Sequence, residues 1–129
     1  MSCCVHSANL LGQIRNSATI IIHNAWRLDF NLSLASFESN IKATRNLINL
    51  AFKSRHGRSL RFVFTSTVGT GQSWDHIQGP FPEEVQSDPS FAIGTGYAES
   101  KYVCERVGSV ITCVGCDLRD SLAVLDYRQ

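Results

Sequence analysis

The sequence predicts an α/β fold with a parallel sheet, in the order βαβα(β), and three observations carry that reading. Two short runs rich in β-branched and aromatic residues, "SATIIIHNAW" at 17–26 and "LRFVFTST" at 60–67, read as strands. Between them "FESNIKATRNLINLAFKS", at 37–54, places apolar residues at helical spacing. The connections are short, so strand, helix and strand make a βαβ unit, which implies parallel pairing and a right-handed crossover.

Each element follows from its residues. Ile20, Ile21 and Ile22 form a continuous apolar run, expected to be buried on both faces of the sheet. In the next segment Ile41, Leu47, Ile48, Ala51 and Phe52 share one stripe, and Gly57 stands just beyond as a stop. The run at 60–67 is the second buried strand. From Val68 to Gly96 the periodicity dissolves among glycines and prolines, which predicts a long loop, and loops of that length in compact domains are usually functional. A helix opens at Tyr97, with Ser100, Val103, Cys104 and Val107 on its less polar face. After it two readings compete: a strand at 109–115, or a longer helix followed by a strand at 121–126. The second is preferred.

Composition narrows the class. The chain of 129 residues suits one domain, with 43% hydrophobic and 18% charged residues. A formal net charge of +1 gives no broad electrostatic footprint for nucleic acid. No apolar run approaches the length of a membrane span. The start, "MSCCVHSANLLG", lacks a positive segment followed by a long apolar one, so a cytoplasmic protein is expected. Five cysteines, an odd number, argue against a disulfide framework. Cys113 and Cys116 form a C-x-x-C pair that could bind zinc or cycle redox. A structural zinc site needs four ligands in two spaced pairs, and adjacent Cys3 and Cys4 do not supply the second, so no metal is expected.

Candidate chemistry gathers where ligands bind in an open parallel sheet, beyond the carboxyl ends of the strands. His23, Asn24 and Ala25 end the first strand, and Ser66 and Thr67 end the second. Tyr97 and Lys101 lie four apart on the following helix and share a face. A tyrosine hydroxyl has an ordinary pKa of about 10. A nearby ammonium would lower it and make the hydroxyl a usable general acid. A serine or threonine hydroxyl opposite could stabilise charge on the same carbonyl oxygen. The hydride of such a reduction must come from a cofactor. Each feature alone has an ordinary explanation: a helix surface, a strand end, a turn cap. Their order along the chain is what joins them.

That order, with "IIIHNAWRLDFN", "NIKATRNLINLA", "FVFTSTVG" and "GYAESKYVCERV", resembles the thioester reductase domains of extended short-chain dehydrogenases. These occur in fungal adenylate-forming reductases, nonribosomal peptide synthetases and carboxylic acid reductases. The resemblance covers about 11–107, and 108–129 diverge. It implies a partial Rossmann-like parallel sheet and NADPH-dependent reduction of an acyl thioester to an aldehyde or alcohol. The thioester would sit on the phosphopantetheine arm of a carrier protein. Tyr97 would donate the proton, and Lys101 would hold the nicotinamide ribose and lower the tyrosine pKa. Thr67 would polarise the carbonyl, with Ser66 as the alternative. Asn24 and Ala25 would line the cofactor cleft with Tyr97 and Lys101. Asn40 would have a structural role at the start of its helix.

The family's glycine-rich turn, which receives the cofactor pyrophosphate at a helix N-terminus, does not stand in this sequence. The fold expected is therefore one lacking the first glycine-rich βαβ segment, a single partial domain over 1–129 from the central portion of a reductase. A truncated product, a remnant or a gene-model fragment would each account for it. The alternative function is a non-catalytic remnant that at most binds a partner through an uncovered sheet edge. A sugar-nucleotide epimerase or dehydratase is a further possibility in the superfamily, and the His-Asn-Ala-Trp stretch counts against it.

Overall fold

The computed structural model describes residues 3–56, 59–113 and 122–125, and side chains within 9–56 and 59–109. Three parallel strands form one sheet in the order β1-β2-β3: β1 Ile20–His23, β2 Arg61–Thr65 and β3 Leu122–Leu125. Helix α1, Cys3–Ser17, precedes β1; α2, Glu38–Phe52, joins β1 to β2; α3, Gly96–Cys113, joins β2 to β3. The preferred reading of the C-terminal half, a long helix and then a strand within 121–126, is the arrangement found. Gly57 lies outside the described residues.

The register pairs Ile20 with Arg61, Ile21 with Phe62, Ile22 with Val63 and His23 with Phe64. Successive side chains of a strand point to opposite faces. Phe62 and Phe64 face one side and pack with Ile48 and Ala51 of α2 and Cys104 of α3, with Leu60, Ile21 and Trp26 completing the core. Burying each such phenylalanine is worth about 1.5–3 kcal/mol. Both helices thus cover the same face.

That arrangement corrects the expectation of strands buried on both faces. Ile20 and Ile22 point away from the helices and are exposed, Ile22 by 64%. In β2 exposed Arg61 and half-buried Val63 share that outer face. Within α2 the buried residues are Thr44, Ile48 and Ala51. Phe52 is partly exposed beyond them, so the stripe runs through Thr44 and not through Phe52. Helix α1 was not anticipated. Its Leu10, Leu11 and Ile14 are all exposed, so the packing that usually betrays a helix by its pattern is absent among the described residues. Its last turn is tied to the body where Ser54 Oγ and the Arg55 amide donate to the Arg15 carbonyl.

The predicted loop from 68 to 96 holds short 3₁₀ turns at Val68–Gly71, His76–Gln78 and Pro89–Ala92, and its last residue, Gly96, already belongs to α3. Asp75 and Asp88 cap the second and third with their carboxylates, a satisfied turn start that needs no long-range packing. Trp74 meets Phe81 and Phe91 edge-on, and Gln72 and Ser73 bond the carbonyls of Ala92 and Ile93. Tyr102 of α3 donates to the Ser87 carbonyl. The segment is therefore anchored to α3.

Gly96 opens α3 with its Cα packed against the backbone of Leu32, Ser33 and Leu34, where an added methyl would collide with backbone atoms. Gly12, inside α1, has open space around it. Gly96→Ala should lower stability by about 1–3 kcal/mol, the usual cost of overpacking. Gly12→Ala should raise it by up to about 1 kcal/mol through helix propensity. Urea denaturation of the two variants checks both signs.

Candidate functional site

The site grows from the carboxyl end of β2. Past Thr65 the chain leaves the sheet, and each of the next groups meets α3. The Thr65 carbonyl accepts from Lys101 Nζ at 2.6 Å. Ser66 Oγ donates to Glu105 Oε1, and both are buried. Thr67 has extended backbone (φ −149°, ψ 146°) and caps the turn at Val68–Gly71, its Oγ1 accepting from the Gly69 amide at 3.2 Å. A Cβ at Gly69 would lie 3.2 Å from Ala98 Cβ and 3.5 Å from Thr67 Oγ1, so the turn that Thr67 caps packs against Ala98 in the first turn of α3. The Thr67 hydroxyl keeps its own proton free of any acceptor among the described residues. Ser66, by contrast, has committed its proton to Glu105.

Lys101 is 2% exposed. Its ammonium lies 4.4 Å from the Trp26 ring centre, 4.8 Å from Phe64 and 5.9 Å from Tyr97. An ammonium has three N–H donors. One goes to Thr65, and two have no acceptor among the described residues. Burial pulls its pKa down to about 8, with the neighbouring Cys104 and Glu105 acting the other way. A buried ammonium with its pKa shifted by its surroundings is a functional-site candidate.

Tyr97 is half-buried, with its ring edge-on to Phe30 at 5.0 Å and to Phe37 at 6.1 Å. Burial raises its pKa. The expectation that Lys101 would lower it is not what the phenol experiences, because the ammonium is drawn under the ring toward the Thr65 carbonyl. The phenol is consequently in its protonated form at neutral pH.

Helix α3 is no surface helix. Ala98, Ser100, Lys101, Tyr102, Cys104 and Glu105 are all buried. A polar layer connects it to the rest. Ser100 Oγ donates to the Tyr97 carbonyl at 2.7 Å and accepts from Trp26 Nε1 at 3.3 Å. Thr44 Oγ1 donates to the Asn40 carbonyl at 3.0 Å and accepts from Cys104 Sγ at 3.4 Å. Its single proton is then spent, so the 2.9 Å contact with His23 Nε2 is donated by the imidazole. Burial first, and the Lys101 charge second, lower the His23 pKa, which keeps that ring neutral. Burial raises the Cys104 thiol.

Asn24 and Ala25 are exposed at the end of β1. Ala25 lines an open cavity of about 660 Å³ with His23, Trp26 and, from α2, Asn40 and Leu47. Asn40 is the third residue of α2, and its carbonyl serves Thr44. Lys101 thus sits at the end of β2 against the Tyr97 ring, Thr67 lies two residues past Thr65 in the turn that meets Ala98, and Asn24 and Ala25 end the neighbouring strand. Sequence reasoning missed Thr44, Glu105 and the part played by Trp26. Thr44 was recoverable, since 44, 48 and 51 follow the helical period; Glu105 and Trp26 left no signal in spacing. Cys113 and Cys116 fall where no side chain is described. Among the described residues no helix is long and apolar enough to cross a membrane.

The profile of an NAD-binding family described as "Male sterility protein" matches residues 7–110. The adenylate-forming reductase Nps11 of Serpula lacrymans var. lacrymans is 57% identical over 96 residues, which cover 74% of this chain and 9% of that protein. Adenylate-forming reductase Nps10 of Heterobasidion annosum is 42% identical over 101 residues, 78% of this chain and 9% of its own. A carboxylic acid reductase of Neurospora crassa is 37% identical over 87 residues, 67% of this chain and 8% of its own. The chain spans about a tenth of the length of these relatives. With the match to residues 7–110 and the strand-end cluster of Thr67, Tyr97 and Lys101, the chain belongs to the male sterility family of NAD-binding domains, the thioester reductase group of extended short-chain dehydrogenases that includes fungal adenylate-forming and carboxylic acid reductases.

Proposed function

We propose that this chain carries the proton donor and the carbonyl-binding groups of an NADPH-dependent reduction of a carrier-bound acyl thioester to an aldehyde or alcohol. The observation that carries the reading is the Lys101 ammonium, buried at the end of β2 beside the Tyr97 ring, with two donors that meet no acceptor among the described residues.

The residues fit the ribose end of a nicotinamide cofactor. Two adjacent hydroxyls would take the two remaining Lys101 donors, and Asn24 and Ala25 would border the cleft. NADPH, when bound, supplies the hydride. Thr67 Oγ, whose proton is free, would donate to the thioester oxygen and stabilise the charge that develops there. Tyr97 would deliver a proton from Oη to an aldehyde oxygen on further reduction to the alcohol. Its raised pKa keeps the proton in place at neutral pH until such a strong acceptor forms. Lys101 would act by charge and by holding the cofactor hydroxyls, not by acidifying the free phenol. The cytoplasm, as the compartment of NADPH chemistry on carrier proteins, completes the reading.

The pyrophosphate end is a different matter, because no glycine-rich turn stands in the sequence. A second reading, a non-catalytic fragment that binds a partner, is favoured by that feature and by the exposed Ile20 and Ile22. Calorimetric titration of the chain with NADPH should give weak binding or none. Micromolar affinity, about −8 kcal/mol, would show that a pyrophosphate cradle is not needed.

Activity is tested by exchanging this chain for the matching segment of the Serpula lacrymans reductase Nps11 and assaying NADPH oxidation with a carrier-bound thioester. Thr67→Ala should lower kcat by roughly 10²-fold while leaving cofactor affinity in place. Tyr97→Phe should slow the aldehyde-to-alcohol step by about 10²–10⁴-fold, with folding unchanged. Full rates in both variants would remove the two hydroxyls from the mechanism.

The charge on Lys101 gives a pH signature. Its pKa is about 8, so the ammonium is present below that value and lost above it. Cofactor affinity should therefore hold below about pH 8 and weaken as pH rises through it. Lys101→Arg, which stays charged throughout, should flatten that profile even where affinity is lower overall.

A further inference from the structure

We infer that Trp26 is the positioning residue for Lys101: its indole face and its N–H together hold the ammonium at the end of β2 with two donors free for a diol-bearing ligand. The inference rests on the reductase reading for its consequence in turnover, and on geometry alone for the positioning itself.

The indole is pinned on two sides. Its face lies 4.4 Å from Lys101 Nζ, the shortest of the three ring contacts the ammonium makes. Its Nε1–H donates to Ser100 Oγ, one residue before Lys101 on the same helix. Ser100 is fully buried, and its own proton goes to the Tyr97 carbonyl, so its oxygen is left to accept from the indole. The ring edge packs on Phe64 at 5.7 Å and on His23 at 5.7 Å. Trp26 thus ties the segment leaving β1 to the helix that carries the lysine.

The consequence for Lys101 follows from what a ring can and cannot do. A π face attracts an ammonium without consuming a hydrogen-bond donor. A carboxylate in the same place would neutralise the charge and take one or two N–H groups. The carbonyl of Thr65 takes one donor and the rings take none. The charge is held, and two N–H groups remain. The other groups that set the field at Nζ are neutral His23 from β1 and Tyr97, Cys104 and Glu105 from α3. Thr44, from α2, is uncharged and bonds His23 and Cys104.

The test reads the lysine directly. The chain has three lysines, Lys42, Lys53 and Lys101. With ¹³C at the ε carbons, NMR should place the Lys101 ε-protons well upfield of the other two, because they lie against aromatic faces. Trp26→Leu should move them toward Lys42 and Lys53, and Trp26→Phe, which keeps a ring face but loses the N–H, should give an intermediate shift. Circular dichroism reports whether each variant is folded, and the Phe variant supplies the answer if the Leu variant is not. In the exchanged reductase, Trp26→Leu should raise KM for NADPH about tenfold with kcat little changed. Lys101 resonances coincident with the other lysines in the parent chain, or unmoved in both variants, would overturn the inference, as would a fall in kcat with KM unaltered. The NMR result does not depend on turnover, so a parent protein without reductase activity would count against the proposed function alone.

Discussion

The rest of the site depends on one buried charge. Moving an ammonium out of water costs several kcal/mol even after relaxation. Lys101 meets that cost with the Thr65 carbonyl, with the faces of Trp26 and Phe64 and with the nearby Glu105. The offset is incomplete, which is why its pKa lies below that of a free lysine. The unfolded chain therefore binds more protons than the folded one between about 8 and 10.5, and this group weighs against folding below that window. A lysine serving stability alone would gain by reaching solvent. Two of its donors meet no acceptor among the described residues, and the proposed cofactor hydroxyls would complete them.

The neighbouring polar groups follow from that charge. Burial first and the Lys101 charge second lower the His23 pKa, and the imidazole donates to Thr44. Thr44 passes its proton to Asn40 and receives the Cys104 thiol, which leaves no buried hydroxyl of this group unpaired. Glu105 supplies the compensating negative charge and binds Ser66. Ser66 and Thr67 are adjacent in sequence but differ for this reason: the first gives its proton to buried Glu105, and the second accepts from the Gly69 amide with no acceptor for its own proton among the described residues.

Much of the fold was legible because parallel strands and the helix between them impose strong local patterns. "IIIH" and "RFVFT" read as strands, and Ile48 and Ala51 marked the buried face of α2. What local pattern could not give was which face of the sheet would be covered. Ile20 and Ile22 are as apolar as Ile21, and only the placement of α2 and α3 on one side distinguishes them. The approach of Lys101 to the end of β2 was legible from the order of the elements along the chain. The electrostatics of Tyr97 were not, since a Y-x-x-x-K spacing places two side chains on one helix face without saying where the ammonium ends. A carbonyl one strand-end away and two aromatic rings decided that. Trp26 was visible only as part of a distinctive stretch, because a contact between residues 26 and 101 has no signature in spacing.

The division of labour within the chain has a further consequence. The groups proposed to act on a carbonyl, Thr67 and Tyr97, and the one proposed to hold a ribose, Lys101, sit among contacts made inside this chain: the sheet end, the Trp26 indole and the Ser100 bridge. Recognition of a pyrophosphate needs backbone N–H groups at a glycine-rich helix start, which is a separate structural device. The outer face of β1 and β2, with Ile20 and Ile22 exposed beside Arg61, lies on the same strands whose inner face carries Phe64 against the lysine.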